Sequence, residues 1–431
     1  MALAPEHDAA IPASSSRRGF LRGAALLTGG TIAAAGTGRA LSQDLAASLP
    51  PNVPEWSKTL GAPVLASPYG VPSKYEASVR RRESPGLTRT PHSSIAFTPL
   101  QSLFGIITPS GIHFERHHAG VPEIDPHLHR LMIHGMCRNP RIFAMDDLMR
   151  FPSVSRIHFI ECGANTGMEW SNVAVPGVQY SHGMIGCSEW TGVALSTLLD
   201  EVGFDPKARF LLAEGADGAA LTRTIAMEMA LDDVLVVYGQ NGEMLRPEQG
   251  YPLRLLVPGV QGVSSVKWLR RLEIGDKPWN TREESLHYVD MLPGGKHRQY
   301  TWLQEAKSVI TAPSGGQVLL DRGYHEITGL AWSGRGKVKR VDVSTDGGRN
   351  WRTARLQEPV HTKSLTRFRI DWQWDGGAAL LQSRVTDETG YVQPTYRQLR
   401  AVRGTRSIYH NNAIQTWRID PSGDVGNVQV L

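Results

Sequence analysis

Cys162 is the residue of this chain best placed to do chemistry. It ends the run Arg156-Ile157-His158-Phe159-Ile160-Glu161 and precedes Gly163-Ala164-Asn165-Thr166-Gly167. A strand feeding a small-residue loop holds a thiolate on a rigid support and lets backbone approach a bulky group. A soft thiolate there suits a metal centre that also carries sulfur ligands. A single cysteine in apolar surroundings is more often a small buried hydrophobe, so the segment needs support from the rest of the chain. Cys137 and Cys187 read as ordinary buried thiols, and three cysteines leave at least one outside any intrachain disulfide. No Cys-x-x-Cys-His occurs, so no haem is expected in this chain, and iron–sulfur spacing is missing. His113, His117, His118, His127, His129 and His134 are dense enough to raise zinc. No His-x-x-x-His on a predicted helix accompanies them, so they read as surface or core histidines.

The elements that must position Cys162 alternate from about residue 96 to 305. Strands are expected over 156–161, 210–213, 234–238 and 253–257, and helices over 145–150 and 193–202, the second closed by Gly203. Residues 41–95, rich in Pro, Ser and Arg, read as an extended arm, with Arg80-Arg81-Arg82 as a solvated patch. From about 306 the period changes to two. Phe368, Ile370, Trp372 and Trp374 alternate with Arg367, Arg369, Asp371 and Gln373, and Val341 and Val343 lead into the turn Thr345-Asp346-Gly347-Gly348. Short strands with almost no helix predict an immunoglobulin-like β-sandwich over 306–431, in which Trp332, Trp351, Trp372 and Trp374 pack. The fold class is therefore an α+β domain followed by an all-β sandwich.

A net charge of +5 with no Lys/Arg stripe excludes a nucleic-acid binder, although a mildly basic surface can steer an acidic partner protein. Near the start, Ser16-Arg17-Arg18-Gly19-Phe20-Leu21-Arg22 precedes a weakly apolar Gly/Ala run to Gly38. That is the form of a twin-arginine export signal within residues 1–40, too short and too weakly apolar to span a bilayer. Periplasmic residence is the expectation, with no membrane span elsewhere.

Separated motifs then support the cysteine. Phe114-Glu115-Arg116-His117-His118, the Cys162 loop, Pro258-Gly259-Val260 and Ser265-Val266-Lys267-Trp268 stand in an order that resembles the sulfite-oxidase-type molybdopterin family. The segments at 329–334 and 340–348 extend the likeness over about residues 95–420. The resemblance implies a molybdenum–molybdopterin cofactor with Cys162 as its protein ligand, a catalytic domain over 96–305 and a dimerisation domain over 306–431. It also implies cofactor contacts from Phe114, Arg116, His118, Asp217, Arg254, Ser265, Val266 and Lys267. Gln249 stands where the family has histidine. Arg116 and the aromatic Tyr180 would line the substrate pocket, and Tyr288 would assist proton or electron movement.

Departures from the pattern bear on the substrate. Sulfite oxidases place cations where this chain has Gly167, about Pro176 and near Asn412. Losing three charged hydrogen bonds, roughly 1.5–3 kcal/mol each, argues against free sulfite. The strings ECGANTGMEW (161–170), AEGADGA (213–219), QNGEMLRPEQGYPLR (240–254) and IYHNNAIQTW (408–417) resemble the molybdenum subunits of sulfane dehydrogenases of the Sox thiosulfate-oxidising system. That branch implies a cysteine persulfide on a sulfur-carrier protein as substrate and a dihaem c-type cytochrome as electron acceptor. It implies too a homodimer of this subunit within a heterotetramer. A sulfite dehydrogenase is the alternative expectation.

Overall fold

A computed structural model describes residues 54, 57, 59–83, 90–171, 175–299, 302–405 and 409–430. The twin-arginine segment lies outside the described residues. Contacts divide the chain into Met1–Pro72 and Ser73–Leu431, and the architecture below is that of the second unit. Among the described residues no helix is long and apolar enough to cross a membrane.

The Cys162 strand, Ser153–Glu161, is an edge of a five-stranded sheet. It pairs antiparallel with Ile185–Ala194, which pairs with Leu235–Gln240, and that strand carries both Glu243–Met244 and Arg254–Leu256. The strand begins half-exposed and ends buried from His158 to Glu161, so it enters the core just before the cysteine. A second sheet runs Arg141–Ala144, Arg130–Gly135, Leu269–Gly275, Phe210–Gly215, Thr222–Ala226, with only its second and third strands parallel. A smaller sheet joins Arg82–Glu83, Ile95–Phe97 and Glu115–Arg116, which sets Arg116 beside the core.

The helix Leu195–Val202 buries Leu195, Leu198, Leu199 and Val202, a single stripe facing the core, and Gly203 closes it at φ +61°. Val193 and Ala194, expected in that helix, belong to the strand instead. Val193 pairs across the ladder with both Ser153 and Val236, and a β-branched side chain suits that position. The helix expected over 145–150 shortens to Met145–Leu148.

After residue 306 two sheets face one another, Lys307–Ala312, Gly323–Trp332, Thr366–Trp374, Arg355–Leu356 against Arg352–Thr353, Val338–Ser344, Ala379–Asp387, Thr416–Ile419, Val425–Val428. This is the immunoglobulin-like sandwich. Trp332, Trp372 and Trp374 are buried, whereas Trp351 is half-exposed beneath the Arg384 guanidinium. Two expectations fail here. Arg367 does not face solvent but is buried, donating to the backbone oxygens of Leu103 and Gly105. The region also holds a helix, Tyr396–Arg403, at whose start the Thr395 and Gln398 side chains each accept the other's backbone N–H. One hydrophobic cluster runs from the sandwich into Leu100, Phe159, Val178, Ile185 and Cys187, so the sandwich and the Cys162 strand share a core.

Candidate active site

Cys162 lines a cleft of about 580 Å³ together with Arg116, His118 and Tyr288. The same cleft is lined by Phe114, Gln249, Arg254, Ser265, Val266 and Lys267, so ten of the residues singled out in the sequence come together. Two do not. Asp217 is buried behind Leu221, whose N–H its carboxylate accepts at 3.3 Å. Tyr180 lines a different cavity, of about 650 Å³, which Ala164, Thr166 and Gly167 of the loop after Cys162 also line.

The loop is held from within. The Cys162 N–H donates to the Met184 oxygen, and the Asn165 amide nitrogen donates to the Glu161 carboxylate at 2.9 Å. Burial pushes the Cys162 thiol up, while the Ala164 N–H and the Arg116 charge oppose it. All three cysteines are free; Cys187 is buried against the Ser364 hydroxyl at 3.2 Å, but Cys137, expected to be buried, is only half-buried.

Opposite the thiol stand two buried cations. Arg254 donates to the backbone oxygens of Gln249 and Ser265 at 2.8 and 3.0 Å, and its Nε has no hydrogen-bond partner. Burial lowers its pKa to about 9. The Lys267 ammonium donates to the oxygens of Arg116 and Glu248 and lies 2.8 Å from His117 Nδ1. Its pKa falls well below the usual lysine range through burial and the neighbouring Arg254. His117 in turn sits 2.6 Å from the Glu115 carboxylate, which pairs with Arg81 at 3.3 Å; Arg81 also reaches Glu248. Arg81 is thus a buttress of the site and not part of a solvated patch.

Burying cations without a carboxylate on each is costly unless an anion joins them. An anionic group in the cleft would satisfy Arg254 Nε and favour the charged form of Lys267. The donor set therefore fits a phosphate-bearing cofactor, with the Cys162 sulfur free to meet a metal. His118 is held neutral, its pKa lowered to about 3 by burial and the Arg116 charge. His113 is buried and neutral as well, its ring packed so close to Gly186 that a Cβ there would come within 2.4 Å. Gln249 donates to the Phe114 oxygen at 2.9 Å and so braces the segment that carries Arg116.

Several site residues were not legible as such. Tyr409 stacks on Tyr288 with ring centres 4.8 Å apart. Glu161 and Lys307 form a buried ion pair at 2.9 Å directly before the cysteine. A glutamate ending an otherwise buried strand was the available signal, because a buried carboxylate needs a partner. Thr166, Trp268, Tyr288 and His410 all adopt positive φ near the site, a costly conformation for such side chains that clusters where geometry is imposed.

The second cavity differs in kind. Phe97, Met168, Val175, Tyr180 and Met184 line it beside Ala164, Thr166 and Gly167 of the loop. Among the described residues its lining has no lysine or arginine, and its one carboxyl is Glu169. Burial raises the Glu169 pKa to about 7, opposed by the Asn427 amide.

Residues 118–283 match the oxidoreductase molybdopterin binding domain, and residues 298–417 match the Mo-co oxidoreductase dimerisation domain. Mouse mitochondrial sulfite oxidase is 34% identical over 340 residues, covering 72% of this chain and 62% of the mouse protein. The NADH nitrate reductase of Ulva prolifera is 33% identical over 303 residues, covering 63% of this chain and 34% of its own. The chain thus spans about three-fifths of the mouse protein's length and a third of the algal one's. Its fold matches the crystal structure of the sulfane dehydrogenase SoxCD from Paracoccus pantotrophus with a TM-score of 0.86 and 48% identity, over 90% of this chain and 99% of that one. These matches imply molybdenum–molybdopterin as the cofactor. The chain belongs to the sulfite-oxidase-type molybdopterin oxidoreductases.

Proposed function

We propose that this protein oxidises sulfane sulfur, presented as a cysteine persulfide on a carrier protein, to the sulfonate level, and passes the electrons to a separate dihaem cytochrome c. Each persulfide, R–S–S⁻, takes three oxygens from water and yields R–S–SO₃⁻, six protons and six electrons. Molybdenum bound to molybdopterin supplies the two-electron acceptor for each step. Cys162 is its protein ligand. Arg254 and Lys267 hold the cofactor's anionic end by charge-assisted hydrogen bonds, with Ser265 and Val266 shaping the wall between them. Phe114 and His118 pack and bond against the pterin, and Asp217 supports that wall from behind. Arg116 places a positive charge where the oxidised sulfur gains anionic oxygen. Tyr288, whose hydroxyl burial keeps protonated, lines the same space and would assist proton or electron movement there.

Residues 96–305 form the catalytic domain and 306–431 the domain that pairs two copies within a heterotetramer. Residues 41–95 are the arm, and residues 1–40 direct export to the periplasm by the twin-arginine route.

The observation that carries the substrate is the second cavity. A free dianion needs charged donors, and this lining offers methionine, aromatic and glycine surface with a carboxyl half protonated at neutrality. Such a wall suits a less charged sulfur on a peptide arm, and Tyr180 fits that role there. The likeness to a sulfane dehydrogenase supports the same reading. The sulfite oxidases among the relatives favour free sulfite as the second reading. Steady-state assays with a c-type cytochrome as acceptor separate the two. Persulfide-loaded carrier is expected to turn over well and free sulfite poorly; efficient oxidation of micromolar sulfite overturns the sulfane reading.

A further inference from the structure

The Glu161 carboxylate is buried at the end of the Cys162 strand, and two of its three side-chain partners come from the sandwich. One oxygen accepts from Asn165 and from Lys307 Nζ, each at 2.9 Å, and the other accepts from the Trp332 indole at 2.8 Å. Lys307 and Trp332 are directly opposed across the first ladder of the sandwich, and the ammonium lies 5.8 Å from the Trp332 ring centre. The same ammonium donates to the Thr166 hydroxyl at 3.0 Å. One cation therefore holds the residue before Cys162 and the far end of the loop after it. Thr166 is kept at φ +64°, where a β-branched residue does not rest unaided. Its hydroxyl also reaches the Asn411 oxygen at 2.8 Å, and the Gly163 oxygen accepts the His410 N–H at 2.7 Å.

We propose that Lys307 is a positioning residue for the Cys162 thiolate, through which the C-terminal sandwich sets where that sulfur points. A buried ion pair is weak support for stability alone, since apolar replacements of both partners are often neutral or better. A pair that grips both ends of one short loop constrains geometry instead. The effect expected on turnover, though not the effect on the loop, rests on Cys162 being the metal ligand.

The test uses the full chain with Cys137→Ser and Cys187→Ala, leaving one thiol. Lys307→Met is expected to raise the rate of Cys162 alkylation by iodoacetamide about tenfold in cofactor-free protein, by freeing the loop. In loaded enzyme it lowers kcat about tenfold with KM within about twofold, and shifts the thiolate-to-metal absorption band. Lys307→Arg, which keeps a donor on both partners, reverses part of each change. Should Lys307→Met fail to fold, Glu161→Gln with Lys307→Met removes both buried charges and carries the measurement. Val341→Ala, in the sandwich core, serves as an equally destabilised control with parental alkylation. Alkylation within twofold of the parent in the folded double variant overturns the proposal, as does an equal rise in Val341→Ala. Full turnover of Cys162→Ser instead removes the ligand reading and leaves the alkylation result standing.

Discussion

Two carboxylates eight residues apart, Glu161 and Glu169, are both buried and live in opposite surroundings. Glu161 is met by the Lys307 ammonium and the Trp332 indole, within the network that holds the Cys162 loop. Glu169 meets the Asn427 amide at 3.1 Å, with methionine and aromatic side chains around its cavity. The same division runs through the two spaces flanking the loop. The cleft toward Arg116, Arg254 and Lys267 gathers positive charge, and among the described residues the lining of the cavity toward Tyr180 and Met184 holds no lysine or arginine, the nearest cation being Lys307 at the Thr166 hydroxyl. A site divided in this way can grip an anionic cofactor firmly while admitting a substrate that is not strongly anionic.

The comparison breaks most sharply at Cys162. Cys162→Ser is expected to cut turnover by more than about a thousandfold, because a hard hydroxyl replaces the soft thiolate at the metal. The measurement is substrate-dependent cytochrome reduction at matched molybdenum content, and wild-type rates in that variant remove the ligand assignment. Arg254→Met sharpens the cationic side next. Its Nε is the donor left for the anion, and one charged hydrogen bond at roughly 1.5–3 kcal/mol implies a loss of about tenfold to a hundredfold in cofactor retention. The cofactor-free variant loses only the bonds to the Gln249 and Ser265 oxygens, partly offset by removal of a buried charge without a carboxylate, so its stability should fall less than that of the loaded form. Calorimetry of both forms reads this, and a stability loss equal in the two would mean that Arg254 serves the fold and not an anion.

Much of this division is present in residue types. The strand ending at Glu161, the loop of small residues, the cationic set Arg116, Arg254 and Lys267, and the missing cation at Gly167 can all be read along the chain. So can the sandwich, from the alternation around Trp372. What lies out of reach depends on contacts between distant segments. Lys307 reads as one more strand residue until the shared core sets it beside Glu161, 146 residues away. Arg367 follows the alternating pattern of a solvent-facing position, and only the packing of the 103–105 segment turns it inward. Tyr180 reads from the sequence as an aromatic of the pocket wall, but the cavity it lines is decided by how Val178–His182 docks on Phe97. The Tyr396–Arg403 helix, in contrast, was legible: Thr395-x-x-Gln398 is a capping box, outweighed by the strands around it.

The smaller effect concerns Glu169, where the apolar side can be titrated. Its carboxyl ionises near 4.5 in the unfolded chain and at about 7 in the folded one, because burial opposes the charge. Below about 4.5 both states hold the proton and stability is unaffected. Between about 4.5 and 7 the unfolded chain releases the proton while the folded chain keeps it, so this group lowers stability as pH rises, by about 3 kcal/mol in all. Glu169→Gln cannot ionise and keeps a partner for Asn427. Its stability relative to wild type should therefore grow across that window and level off above pH of about 7, as read by denaturant unfolding at several pH values. A flat difference would mean that a cation reaches Glu169 in solution, and the contrast between the two sides of the loop would then be smaller than the static arrangement implies.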